Sequence, residues 1–465
     1  MTLPINPREP SSGNNNHSRH QQINENPRRV LIHNAPFLFT CGADGHMQIL
    51  ENHSLVIEDG LISAVAPAEE ISTEKFDLVY DALKRGGVII TPGLINTHSH
   101  PPMYLMRSIM SLEEGEGLDD TIAAMPRWER AMTDADYTIA AVGDLTEQQK
   151  HGITTTLSHY GVFWPIERAA KLTGQNVINA LSAVSNTHPE NSPAHISELL
   201  AVKKNFFSQP AIALHYLHKA SGSVLAEIKK LVDKYQLLFT CHMAESKAVA
   251  EKCLSVHGLR EVGVLEKYGL LNDRTIVSHA IHVTDQEIAA LARAGVGIAH
   301  LPTSNAIHKS GVFQYWKFDE AGGFPYLSLG TDGVVSKSRL DILSEAYQTR
   351  LTHLYGHTVR FSSLFKIMTI NGARVLHEPR GQILPGYKAD LAFWKLKDRG
   401  TIPYDEANPI TLLANLITHG GRFVRDLMIN GKFIIKDRRH VLVNESRLLA
   451  EIQKAHMDMR ARIRD

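Results

Sequence analysis

The sequence is short of cysteine, of net charge and of long apolar runs. Its three cysteines, Cys41, Cys241 and Cys253, stand far apart with no C-x-x-C spacing. This argues against a disulfide framework and a thiolate zinc site, and it suits a reducing compartment such as the cytoplasm. The 49 Lys and Arg are balanced by 49 Asp and Glu. A balanced chain gives no electrostatic reason to expect nucleic acid or an anionic membrane as partner. No apolar run approaches the roughly 20 residues needed to span a bilayer, so no membrane span is expected. Residues 1–28 are rich in Asn, Pro, Ser and Gln and nearly free of large apolar side chains. Such a stretch cannot bury enough surface to offset its ordering entropy, so it reads as a disordered tail in which His17 and His20 are solvated. It also lacks the apolar centre of a secretory signal.

What is plentiful is histidine, at 25 in 465 residues. The count decides little by itself; position must decide. The length suits a large barrel plus something smaller. Short strands are expected at residues 30–34, 54–58 and 61–65, the last two joined by the turn Asp59-Gly60. After Pro92-Gly93 the texture changes. Apolar strands recur at 212–214, 237–240, 275–277, 296–298 and 326–329, with helical patterns such as 224–235 and 285–294 between several of them. Strand and helix alternating in this way predict a parallel α/β fold. The fold class expected is a (β/α)8 TIM-like barrel over 92–375, with a small β-sandwich domain formed by both chain ends, 29–91 and 376–445. Residues 446–465 read as a closing amphipathic helix.

The segment Ile89 to His100 carries the most information. Pro92-Gly93 makes a bend and Leu94-Ile95 begin a buried strand. His98 and His100 are two apart, so in extended backbone they share a face. At the C-terminal end of a barrel strand that face looks into the barrel mouth, where two imidazoles can ligate a metal. The pair alone is also compatible with two surface histidines in a loop. Other strands end in the same manner. One runs to His242 with Glu245 three residues on, another ends in His279, and a third in Gly330-Thr331-Asp332-Gly333. Each has a bland alternative, a histidine bonded to a neighbouring carbonyl or an aspartate in a turn. Four strands delivering such groups to one rim make coincidence the poorer account.

The order His98-x-His100, His242-x-x-Glu245, His279 and Asp332 resembles the amidohydrolase superfamily. More narrowly it resembles the branch holding S-adenosylhomocysteine and methylthioadenosine deaminases, guanine deaminases and triazine hydrolases. Leu301-Pro302-Thr303-Ser304-Asn305 is similar to that branch's motif after the seventh strand. Asn371-Gly372-Ala373-Arg374 and the stretch from Gly381 to Leu391 are similar to its return into the β domain. The likeness covers Val30 to Ile435.

The resemblance implies one divalent metal ion per subunit held by His98, His100, His242 and Asp332, with Zn2+ first and Fe2+ the alternative. It implies Asp332, His279 and Glu245 as catalytic groups, with Glu245 protonating a ring nitrogen and then the leaving group. Binuclear relatives carry a lysine at the end of the fourth strand, where a histidine stands here, which points to a single metal. His215 resembles a substrate-contacting histidine, and Ser221 falls at the matching distance; His218 is an extra. Ser304, Asn305 and Arg107 are further candidates for substrate contact. His282 reads equally as support for the site or as a helix start, His159 and His188 as lining the mouth or, more readily, as structural, and His308 as pocket lining. The segment 103–135, with Glu113, Glu114, Glu116, Asp119, Asp120 and Glu129, should wall the site; it suits a cationic substrate or is simply solvated.

The reaction implied is deamination of a nitrogen heterocycle such as a purine, pterin or pyrimidine. Release of halide or alkylamine from a triazine-like ring and opening of a cyclic amide are the alternatives. A barrel that has lost catalysis is a third, which the full set of ionisable groups argues against. The partner is then a small heterocycle, with no nucleic acid and no membrane, and relatives of this kind are commonly homo-oligomers.

Overall fold

The computed structural model describes residues 27–107, 118–202, 205–336, 339–419 and 423–464. Of the expected disordered tail, residues 1–26 lie outside these, as do Glu113, Glu114 and Glu116.

Eight parallel strands form one sheet, each hydrogen-bonded to its neighbour in chain order. They are β1 (Leu94–Ser99), β2 (Ile153–Tyr160), β3 (Asn176–Ser182), β4 (Gln209–Tyr216), β5 (Phe239–Met243), β6 (Thr275–His279), β7 (Gly297–His300) and β8 (Leu327–Leu329). The seam between β8 and β1 is stitched at the carboxyl rim. The backbone N–H groups of Thr331 and Asp332 both donate to the His98 carbonyl at 3.1 Å, and Ser99 bridges Asp332. Lower down, the Thr97 hydroxyl donates to the Leu329 carbonyl at 2.9 Å. The sheet thus closes into the expected barrel.

Alternation along the strands sorts residues between the interior and the surrounding helices. Ile95, Leu157, Ile178, Ala213, Leu238, Ile276 and Ala299 share an interior cluster with Ala373 and Val375. The last two come from the helix Ile370–Val375, which therefore plugs the floor. The Asn371 amide fixes it there, donating to the carbonyls of Phe324 at 2.7 Å and Leu327 at 3.0 Å. The motif read from sequence as a return into the β domain is this plug. Outward-facing Leu94, Ile212, Leu214, Cys241 and Val277 pack instead with the helices.

The chain ends supply a second, nine-stranded mixed sheet. Its first strand, Arg29–Cys41, pairs antiparallel with Met47–Glu58 and parallel with Val88–Pro92. The last of these pairs antiparallel with Leu391–Lys395, so both ends of the chain meet in one ladder. The central strands Val88–Pro92, Leu391–Lys395 and Asp426–Ile429 are buried on both faces. Ile90, Phe393 and Met428 join Val30 and Ile57 in a core of the sheet's own. Their neighbours Ile89, Trp394 and Leu427 join the core shared with the barrel. The helix Glu445–Arg464 packs across the barrel's flank, where Arg462 donates to the Ala131 carbonyl at 2.7 Å and His456 to that of Leu105 at 2.7 Å. Among the described residues no helix is long and apolar enough to cross a membrane.

Candidate metal centre and cavity

Two β-bulges aim the site. Asn96 is opposite Thr156 while Ser99 is opposite Ser158, so β1 carries one residue more than its partner. Asn96 and Ser99 both face the helix Asp134–Lys150, bonded to Gln148 at 3.0 and 3.3 Å. The extra residue lets Thr97 and His98 both turn inward, and His98 and His100 then share the mouth. In the same way Leu214 is opposite Cys241 but Tyr216 is opposite His242. The inserted residue puts His215 and Tyr216 side by side on the cavity wall. Glycine at 330 is required at the seam, since a Cβ there would lie 2.8 Å from both the Cβ and the carbonyl oxygen of His98. His279 and Asp332 hold left-handed backbone (φ 69° and 58°), a strained conformation that persists where packing enforces it.

One ligand atom from each of His98, His100, His242 and Asp332 lies within 4.8 Å of the others, all four residues buried. His100 Nδ1 donates to the His159 carbonyl at 2.6 Å, and His242 Nδ1 to the His215 carbonyl at 2.8 Å. A carbonyl only accepts, so both rings carry a proton on Nδ1 and turn Nε2 inward, the nitrogen that could ligate an ion. These two Nε2 atoms face each other at 3.3 Å. Neither ring nitrogen of His98 has a hydrogen-bond partner among the described residues. Burial, then the neighbouring imidazoles of His100 and His242, holds the His98 ring well below the usual range, and so neutral. Burial with His100 and His279 does the same for His242. Burial alone would raise Asp332, but the His100 hydrogen bond and the charges around it outweigh this and keep the carboxylate well below its ordinary range. Its Oδ2 is taken by the hydroxyls of Ser304 (2.5 Å) and Ser336 (3.0 Å). Oδ1 is left toward His100 (3.1 Å) and His98 (3.7 Å). Three converging imidazoles and one carboxylate, with an orphaned buried imidazole among them, suit a divalent cation.

Glu245 and His279 stand beside this group, with His279 Nε2 3.5 Å from Glu245 Oε1. Tyr216 donates its hydroxyl to Glu245 Oε2 at 2.6 Å. Asn305 Oδ1 receives His279 Nδ1 at 2.8 Å. All of these border a cavity of about 1070 Å3, counted with its open mouth, into which His100, His242, Glu245, His279 and Asp332 open.

Residues 89–434 match the description "Amidohydrolase family". The chain belongs to the amidohydrolase family. It is 29% identical over 419 residues to the 5-methylthioadenosine/S-adenosylhomocysteine deaminase of Pyrococcus furiosus, covering 86% of this chain and 94% of that one. It superposes with a TM-score of 0.84 on an adenosine deaminase from Xanthomonas campestris with bound zinc, at 23% identity over 93% of this chain and 98% of that. It also superposes with a TM-score of 0.82 on an atrazine chlorohydrolase from Arthrobacter aurescens TC1 complexed with zinc, at 21% identity over 92% and 100%. These two likenesses show the fold.

Within this amidohydrolase, the other residues singled out from sequence fall in different places. His215 lines the cavity, as do His159, His188 and His308. His159, read as structural, sits with its ring 4.8 Å from that of His242. Ser304 and Asn305 are not on the wall; they stand behind it, holding Asp332 and His279. Arg107 is turned away from the cavity, its guanidinium 2.8 Å from both Glu147 oxygens and stacked over Tyr104. Ser221 caps the helix Gly222–Tyr235, and His282 is bonded to the Ser310 carbonyl at 2.7 Å. The wall formed by the helix Leu118–Glu129 presents Leu118, Ile122, Met125 and Pro126, with Glu129 as its one described acid on the cavity. That face is apolar rather than acidic, because the helical period turns one stripe inward. Tyr216, Lys219 and Ser336 were not legible as site residues. Tyr216 follows His215 directly, and simple alternation would send it outward.

Proposed function

We propose that this amidohydrolase is a hydrolytic deaminase of an amino-substituted nitrogen heterocycle: a purine, pterin or pyrimidine. The observation that carries the reading is Glu245, buried beside the ligand group, with one oxygen held by Tyr216 and the other next to His279. His98, His100, His242 and Asp332 are the residues that would hold the ion. Zn2+ is favoured over Fe2+ by the zinc in two structural neighbours, although the same donors accept either. A divalent ion so held supplies a nucleophile by lowering the pKa of water from about 16 to about 7.

The protein's own groups do the rest. His279 turns Nε2 to the cavity, its Nδ1 proton committed to Asn305, and there accepts a hydrogen bond from the attacking water. Asp332, its Oδ2 fixed by two hydroxyls, takes the water's proton at Oδ1. Glu245 gives a proton from Oε1 to a ring nitrogen, making the amidine-like carbon electrophilic; it then takes the hydroxyl proton of the tetrahedral adduct and passes it to the departing amine, and the proton held on Asp332 restores the acid. Groups placed in this way contribute about a hundred- to ten-thousand-fold each. A halide leaving group needs less help from an acid, so Glu245 favours release of ammonia or an amine over release of halide.

The test is an ammonia-release screen of metal-loaded protein across amino-purines, pterins, pyrimidines and triazines. Ammonia from one of the first three classes is expected. Turnover confined to triazines, with halide or alkylamine as product, overturns the reading.

A further inference from the structure

Four of the imidazoles at the cavity's base have a partner at Nδ1, and that partner differs among them. Behind His100 and His242 it is a carbonyl. Behind His279 it is an amide oxygen. Behind His215 it is the ammonium of Lys219, 2.8 Å away. An ammonium has three N–H donors and no lone pair, so it can only donate to Nδ1. A ring that accepts at Nδ1 carries its proton at Nε2. His215 is therefore in the tautomer opposite to that of the two ligand histidines, although its ring lies 4.9 Å from that of His242. The bulge in β4 turns His215 onto the cavity wall, and the short turn Leu217–Lys219 brings the lysine back beneath it. Lys219 itself borders the cavity, which Glu129 borders too.

Resting on the deaminase reading above, we infer that Lys219 is a positioning residue that fixes His215 as a hydrogen-bond donor. The substrate edge against this wall is thereby required to be an acceptor: a ring nitrogen with a free lone pair, or a carbonyl oxygen. A heterocycle with C–H or N–H at that edge leaves the His215 proton unmatched. The same tautomer denies Nδ1 and Nε2 of His215 to a second metal ion.

Two measurements test this on the zinc-loaded full chain. The first is the ring spectrum of 15N-histidine-labelled protein, with His215 assigned by its loss in His215→Asn. A lone pair at Nδ1 and a proton at Nε2 are expected in the wild type and in Lys219→Arg, which still only donates. Lys219→Met should move the ring to the other tautomer or a mixture. The second compares amino-purines with their 3-deaza and 7-deaza counterparts, in which one ring nitrogen becomes C–H. One deaza position should lower kcat/KM by about 10- to 100-fold in the wild type, the worth of a matched hydrogen bond. Lys219→Met should erase that preference while Lys219→Arg keeps most of it. A proton on Nδ1 in the wild type, or a Lys219→Met protein with unchanged tautomer and unchanged preference, overturns the inference. Absence of ammonia from every heterocycle, with the tautomer still following Lys219, overturns the deaminase reading alone.

Discussion

Replacing Tyr216 with phenylalanine removes one oxygen and leaves the ring in place. That oxygen donates to Glu245 Oε2 at 2.6 Å, and both residues are buried, at 3% exposure each. Both are nearly closed to solvent, and the acceptor is a carboxylate group. Such charge-assisted bonds are worth about 1.5–3 kcal/mol, and the phenylalanine leaves Oε2 without a partner. At about 1.36 kcal/mol per decade this corresponds to a fall of roughly 10- to 160-fold in kcat if the whole effect is expressed in the transition state. KM should change little, because the hydroxyl is spent on Glu245 and not on the substrate. Steady-state ammonia release on the zinc-loaded protein reads kcat and KM, and elemental analysis reads metal content. Metal content should equal that of the wild type, since the ligands keep their carbonyl-backed orientation. A Tyr216→Phe protein with full kcat would refute the role given to Glu245's second oxygen. One that has lost its metal would show that Tyr216 acts through His242 instead.

Asp332→Asn exchanges the carboxylate for a neutral amide and should lose tightly bound metal together with turnover; normal metal content by elemental analysis would remove Asp332 from the ligand set. Gly330→Ala places a Cβ against the His98 carbonyl and should loosen the seam, lowering zinc affinity about tenfold or more in a competition titration with a chelating dye. Glu345, fully buried behind Thr303, is pushed up by burial to about 8. Its native form therefore holds a proton that the unfolded chain has released, and the stability it contributes is present below about 4.5 and lost as pH rises through about 8. Thermal melts should show the wild type losing Tm between pH 5 and 8 more steeply than Glu345→Gln, and parallel curves would contradict this.

The barrel was legible because its strands are apolar runs of about the right length between helical patterns. β2 and β3 escaped that reading. Residues Thr154, Thr155 and Thr156 give β2 a polar texture, yet all three are buried, and Thr156 bonds to Gln148 at 2.7 Å. The ligand set was legible through the order of histidines along the chain, whereas the geometry that makes it a site was not. A bulge leaves no mark in a pattern of period two, so nothing in the sequence announced that Thr97 and His98 face the same way or that Tyr216 joins His215. Ser304 and Asn305 were found as members of the site but given the wrong neighbour. A motif locates a residue near the chemistry without saying which side of the wall it stands on.

The carbonyls behind His100 and His242 belong to His159 and His215. Those two histidines are thus oriented by peptide groups of two other strands, while the side chains on those same residues face the cavity. Exchange of either side chain leaves the supporting oxygen where it was. Such a barrel can change what it accepts by altering His159 or His215 and retain the tautomers that its chemistry depends on. Variation in diet and constancy of mechanism are written on the same two residues, one in the side chain and the other in the backbone.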